Sequence, residues 1–180
     1  MTSLSPARVV VQINIEQYVD NVFRFALSLT RDRHLAEDLT QECFLKAYQR
    51  KRQLRSQSAA KSWLFQILIN LWKDHLKTNR DHASGSMELE LLADYSRPDD
   101  KSVQRENYNW IVGQMQLLPD QQRTVLFLSA VEQLSNLMIA ELVGSTMNSV
   151  KANLSIARKT MRQKLMQQAR GEQTQVERTK

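Results

Sequence analysis

Seven lysines or arginines (Lys46, Arg50, Lys51, Arg52, Arg55, Lys61 and Lys73) fall between Cys43 and Lys73 with no acid among them. The same stretch carries Phe44, Tyr48, Trp63, Phe65 and Trp72. Cations interleaved with rings suit a surface that follows phosphates while flat side chains meet unstacked bases. A second acid-free stretch, 142–171, holds Lys151, Arg158, Lys159, Arg162, Lys164 and Arg170. One such run is as readily a solvated helix face; two separated runs point to a chain that touches nucleic acid in two places. Catalytic chemistry is poorly equipped. Cys43 has no evident histidine partner and falls on an apolar stripe, which marks it as structural. His34, His75 and His82 lack metal-ligand spacing with it, and no glycine-rich phosphate loop is present. The expectation is a protein that is not an enzyme and holds no metal or cofactor.

The net charge of +6 is spread unevenly over the 180 residues. Residues 1–80 carry 13 basic and 7 acidic side chains, 81–117 carry 3 and 7, and 118–180 carry 9 and 5. Basic ends around an acidic middle argue for polyanion binding by the ends. A single cysteine permits no internal disulfide and fits a reducing, cytoplasmic compartment. The apolar patch within residues 1–11 lacks the core of a signal peptide. No run approaches the roughly 20 apolar residues of a spanning helix, so a soluble protein without membrane insertion is expected. Four glycines and three prolines among abundant Leu, Gln, Lys, Arg and Ala favour an all-α fold.

Helical periodicity places the elements that must carry these charges. Apolar residues at 15, 18, 19, 22, 26 and 29 predict a helix over about 14–30. Leu35, Leu39, Cys43 and Ala47 form the buried stripe of a second, about 32–50. A third, about 59–78, buries Leu64, Ile67, Leu68 and Leu71, with Ser58 as its N-cap. Residues 81–100, containing Gly85, Pro98 and the Asp99–Asp100 pair, read as an acidic, flexible linker. Fully stretched, 20 residues span roughly 66–72 Å, so the flanking units need not touch. Beyond it, a helix over 102–117 stops before Pro119, and Asp120 caps the next, to about 131. Ser135 starts a short helix through Val143, Gly144 sits at its C-cap, and Ser145 or Thr146 caps a long last helix. The last helix has a seam at Val150, Leu154, Ala157, Met161 and Leu165. Short helix, glycine turn and long basic helix match a helix-turn-helix, although a plain helical hairpin has the same pattern.

These two halves together resemble the extracytoplasmic-function (ECF) subgroup of bacterial sigma-70-type transcription initiation factors. The motif AEDLTQECFLKAY (36–48) followed by WLFQILINLWKDHLK (63–77) resembles the family's region 2. LPDQQRTVLFL (118–128) followed by IAELVGSTMNSVKANLSIARKTMRQKL (139–165) resembles its region 4. The resemblance implies two small helical domains, 12–80 and 101–170, with a linker at 81–100 and a tail at 171–180. It also implies core RNA polymerase and promoter DNA as partners, one domain on each of two promoter elements, and melting at the downstream one. The family's habits admit an inhibitory anti-sigma factor as a further partner.

Residue roles follow from the matched positions. Glu37, Asp38, Gln41 and Glu42, opposite the second helix's stripe, resemble the face that docks on the polymerase's largest subunit. Carboxylates there form charge-assisted bonds to a partner's arginines, but Glu37 and Asp38 equally suit the helix dipole. The loop ahead of Trp63 corresponds to the capture site for a flipped base, with Arg55, Ser56, Gln57, Ser58 and Lys61 as donors. Trp63 suits the core as well as a stacking platform. Asn70, Lys73 and Lys77 correspond to positions facing the adjacent duplex, where Asn reads adenine; a buried Asn bonded to backbone is the bland alternative. On the last helix Asn148, Ser149, Lys151, Ala152, Ser155, Ile156, Arg158, Lys159 and Arg162 would meet the upstream element. Asn153 and Ile156 stand where relatives often carry Arg, and Met138 replaces a usual Glu. Two rivals remain: a dimeric helix-turn-helix regulator that needs no polymerase, and a helical adaptor binding acidic proteins or membranes.

Overall fold

The computed structural model describes residues 13–54, 56–80 and 103–178, and every regular element among them is helical. Arg55, the linker at 81–100, His82 and Ser102 lie outside the described residues.

A 3₁₀ turn at Glu16–Tyr18 leads into α1 (Val19–Thr30). The helix stops where Arg31 turns left-handed at φ 59°, its N–H still reaching Leu27 O at 3.0 Å. Asp32 then caps α2 (Arg33–Arg50), accepting from Leu35 N at 3.0 Å. That two-residue connection makes α1 and α2 neighbours. Ala36, Leu39, Thr40, Cys43 and Ala47 face inward, while Leu35 is only half-buried. The third helix, α3 (Ala60–Arg80), buries Leu64, Phe65, Ile67, Leu68 and Leu71. Ser58 is not its cap. A 3₁₀ turn at Gln57–Ala59 intervenes, and the Ser58 hydroxyl pairs with that of Ser56 at 3.1 Å.

The second group is α4 (Val103–Gln116), α5 (Asp120–Ala130), α6 (Asn136–Val143) and α7 (Met147–Arg178). Pro119, not Asp120, occupies the N-cap of α5 and offers no side-chain bond. Ser135 caps α6 as expected, accepting from Met138 N at 3.3 Å. Gly144 ends it at φ 69°, with Ser145 N bonding Ala140 O at 2.9 Å and Gly144 N bonding Glu141 O at 3.3 Å. This is a Schellman closure, and the positive φ is why a glycine stands there. Thr146 is the cap that bonds α7, accepting from Ser149 N at 3.2 Å. Val150, Leu154, Ala157 and Met161 are buried, whereas Leu165 is 44% exposed. By that point α7 has passed the end of α5: Arg158 already bonds Ser129, one residue short of the last residue of α5. The expected tail is helical as far as Arg178.

A long linker would allow the two groups to stay apart, yet they share one apolar core. Helix α1 packs on α5, and α3 packs on α6. Phe25 stacks on Phe127 at 5.5 Å and meets Phe65 edge-on at 5.0 Å. Such ring pairs add about 0.5–1.5 kcal/mol each beyond their buried area. Arg123 of α5 is 2% exposed and fastens the seam. Its guanidinium donates to Ser28 O at 2.5 Å, Leu118 O at 2.9 Å, Leu29 O at 3.4 Å and Asp120 Oδ1 at 2.8 Å. The carbonyls of Ser28 and Leu29 are free because α1 ends there, and the negative end of its dipole favours a cation. Burial, with Arg31 alongside, pulls Arg123 below the ordinary arginine pKa, and Asp120 pushes back.

Candidate functional site

Helix α2 presents one polar stripe to solvent. Asp38, Gln41 and Glu42 are exposed and Glu37 is half-buried, all turned away from Leu39, Cys43 and Ala47. Glu37 pairs with Arg33 at 3.0 Å and Glu42 with Lys46 at 3.0 Å. Both are exposed i,i+4 pairs, worth only about 0.3–0.5 kcal/mol and easily exchanged for a partner's cation. Leu45, 63% exposed, continues the stripe one turn on. Sequence reasoning passed over it, although its spacing of three and four from Glu42 and Gln41 puts it on that face.

The loop ahead of α3 offers fewer free donors than its composition promises. The Gln57 side chain is committed to the chain's own N-terminal segment. It donates to Asn14 O at 2.8 Å and Tyr18 Oη at 3.4 Å, and accepts from Asn14 N at 2.9 Å. Ser56 and Ser58 bond each other, with Ser58 exposed and Ser56 half-buried. Lys61 meets Glu132 of the other helical group, with Nζ 2.5 Å from Oε2 and 3.2 Å from its carbonyl. Trp63 is half-buried against the core, so packing accounts for part of its surface and leaves part open. Asn70 is exposed, not bonded into the backbone; its Oδ1 accepts from Gln66 Nε2 at 3.2 Å. Lys73 and Lys77 are exposed on the same helix, Lys77 beside Asp74 at 3.3 Å.

On α7, Asn148, Lys151, Ala152, Ser155, Ile156, Lys159 and Arg162 form one exposed stripe opposite the buried seam. Ile156 is 51% exposed in its middle. Ser149 is half-buried, its carbonyl accepting from Asn153 Nδ2 at 3.0 Å. Arg158 leans back to donate to Ser129 Oγ at 3.2 Å. The stripe therefore brings together the expected upstream set, with Ser149 and Arg158 at its margins.

Two functional-looking residues went unread: Arg123 and Glu132. A lone arginine among Val125, Leu126, Phe127 and Leu128, and a lone acid after α5, read from sequence as surface. Glu132 is 4% exposed, accepts from Asn21 Nδ2 at 3.0 Å as well as from Lys61, and its Oε1 is buried without a partner among the described residues. No group of acids, His and Cys fit to hold a metal occurs among the described residues, and none of their helices is long and apolar enough to cross a membrane.

Comparison with known proteins accounts for this arrangement. Residues 15–82 match the family Sigma-70 region 2, and residues 108–161 match Sigma-70, region 4. A probable RNA polymerase sigma factor RfaY of Xanthomonas campestris is 33% identical over 153 residues, covering 82% of this chain but 38% of that longer protein. The ECF RNA polymerase sigma factor SigM of Bacillus subtilis is 30% identical, covering 82% of this chain and 90% of its own. SigW of the same organism is 27% identical over 161 residues, covering 84% and 86%. The sigma factor RpoE of Bartonella quintana, solved in complex with the anti-sigma factor NepR, shares the fold. Its TM-score is 0.70 at 22% identity, over 84% of this chain and 94% of RpoE. The chain belongs to the ECF subgroup of the sigma-70 family of RNA polymerase sigma factors. Members of this family are initiation subunits without catalysis of their own. A region 2 match beside the helix-turn-helix disfavours the stand-alone dimeric regulator.

Proposed function

We propose that this chain docks on core RNA polymerase through the α2 stripe, Glu37, Asp38, Gln41 and Glu42, and divides promoter recognition between its two helical groups. Ser56, Ser58, Lys61, Trp63, Asn70, Lys73 and Lys77, with Arg55 of the same loop, serve the downstream element and its melting. The α7 stripe serves the upstream one. A single feature carries the reading: an acid-rich face and a basic helix-turn-helix face occur on one chain, each backed by a packed seam. The acidic face is wrong for DNA and right for a cationic protein surface; the α7 face is the reverse. Gln57, engaged with Asn14, supports the loop's shape in this reading and does not read a base.

Transcription in vitro with core polymerase, followed by start-site mapping, tests the whole. Adding this protein should create new start sites sharing two sequence elements; an unchanged start-site map would end the reading. Asp38→Arg should abolish co-purification with core polymerase while the melting curve stays in place. Retained co-purification would move docking off α2. An anti-sigma partner belongs to the same reading, since RpoE, whose fold this chain shares, was captured with one.

A further inference from the structure

Lys46 and Arg50 belong to neither the polymerase-docking set nor the two promoter-binding sets above, yet they are not scattered. With Asn70, Lys73, Asp74 and Lys77 of α3 they line a polar groove of about 320 Å³ between the last turns of α2 and the outer face of α3. Lys46, Arg50 and Lys77 bring three cations to one carboxylate there, and Asp74 is already bonded to Lys77 at 3.3 Å. Lys46 keeps Glu42 at 3.0 Å, and Arg50 is exposed with no carboxylate partner among the described residues. Lys73 stands at the groove's edge, its Nζ 3.8 Å from where a Cβ on Gly144 would lie. The remaining lining is aliphatic, and no aromatic ring contributes to it.

That composition chooses the ligand. Sites for unpaired strands combine cations with rings on which bases stack. A concave, cationic, ringless groove has nothing to hold a splayed base and everything needed to hold phosphates. Asn70 stands among these cations, exposed and of the type that reads a base edge. Cations around one reading side chain reproduce the usual division, in which phosphate contacts fix register and base contacts specify. We infer that this groove seats the sugar–phosphate backbone of duplex DNA beside the melted segment, with Lys46 and Arg50 as the two positioning cations that α2 contributes. The inference rests on the proposed promoter-binding role of α3. It makes α2 a two-sided helix: Glu42 meets the polymerase, and Lys46, one turn on and bonded to it, meets DNA.

The test uses the full-length protein bound to core polymerase and a labelled duplex fragment carrying a promoter from the start-site map. Affinity is measured across a salt series. Each lost phosphate contact should lower the slope of log K against log salt by about 0.9 on duplex DNA. Lys46→Ala with Arg50→Ala should therefore flatten the slope by about 1.8, and Arg50→Ala alone by about half that. Arg50→Lys, which keeps the charge, should restore the parent slope. All three variants should still co-purify with core polymerase. An unchanged slope with retained co-purification overturns the groove and leaves the sigma-factor reading intact. Loss of co-purification overturns it by making the groove a protein face. A slope change on a single-stranded non-template oligonucleotide but not on the duplex overturns it by moving the groove to the melted strand. If the parent complex creates no new start sites, the underlying reading falls first and takes the groove with it.

Discussion

Cys43 shows what one residue's surroundings do to its chemistry. Buried between α2 and α3, its thiol lies 3.5 Å from Leu64 O. Burial pushes its pKa up to about 12, with the Glu42 carboxylate adding and Lys46 opposing. Below the ordinary value of 9.0 the thiol is neutral in folded and unfolded chains alike, so it contributes no pH dependence. Between 9.0 and about 12 only the unfolded chain ionises, and stability falls as pH rises through that window. Reaction with a disulfide dye at pH 8 should therefore proceed only as fast as the protein unfolds, and fast reaction in native buffer would place Cys43 at the surface. Its burial was legible from the four-residue spacing of apolar neighbours. Arg123 and Glu132 were not, because their burial depends on α1, which meets them at Ser28 and Asn21, 95 and 111 residues away. Periodicity sees one helix at a time, and a charge buried by a distant partner is indistinguishable from a surface charge. The engagement of Gln57 was hidden for the same reason: its partner, Asn14, is 43 residues upstream.

At the scale of elements the sequence spoke more clearly, since caps and seams are local. Ser135, Gly144 and Thr146 stand where they were expected, and so does the buried seam of α7 up to Met161. The misses at Ser58 and Asp120 share a cause. In each, a capping residue type stands off the N-cap position, Ser58 inside the 3₁₀ turn before α3 and Asp120 as the first residue of α5, and its side chain bonds elsewhere. Helix α6 also lacks half of a capping box. Ser135 accepts from the Met138 N–H, but Met138 has no carboxylate to return the bond, and the first turn holds no acid. Met138 is 36% exposed, so a glutamate fits without displacing core. Met138→Glu should raise stability by about 0.5 kcal/mol, through the reciprocal bond and the helix dipole. The check is a urea melt at neutral pH, repeated at pH 3, where the protonated side chain should keep little of the gain. A variant no more stable than the parent would mean that the α6 N-terminus is already satisfied.

The molecule as a whole sets two demands against each other. Reading two promoter elements asks the helical groups to act at separate places, yet here they share a core and hold each other's functional side chains. The side chain of Lys61, expected on DNA, is 26% exposed and bound to the side chain of Glu132, which is 1% exposed. Lys73 and Ser149, from the downstream and upstream sets, line the same cleft between α3 and the α6–α7 turn. Contact between the groups was not legible in the sequence, because a linker's length bounds separation and says nothing of affinity. Moving the groups apart must break the Lys61–Glu132 pair and expose the Phe25–Phe127 stack, so that pair is where the closed arrangement can be tested. Reversing one charge buries like charges side by side; Glu132→Lys or Lys61→Glu alone should cost about 3–5 kcal/mol. The swap of both restores opposite signs and should recover about 1–3 kcal/mol of that loss. Each single variant should also scatter X-rays as a more extended particle than the parent, and the swap should return most of the way. Equal losses in the single and double variants, with no change in particle dimensions, would mean that these side chains meet without holding the two helical groups together.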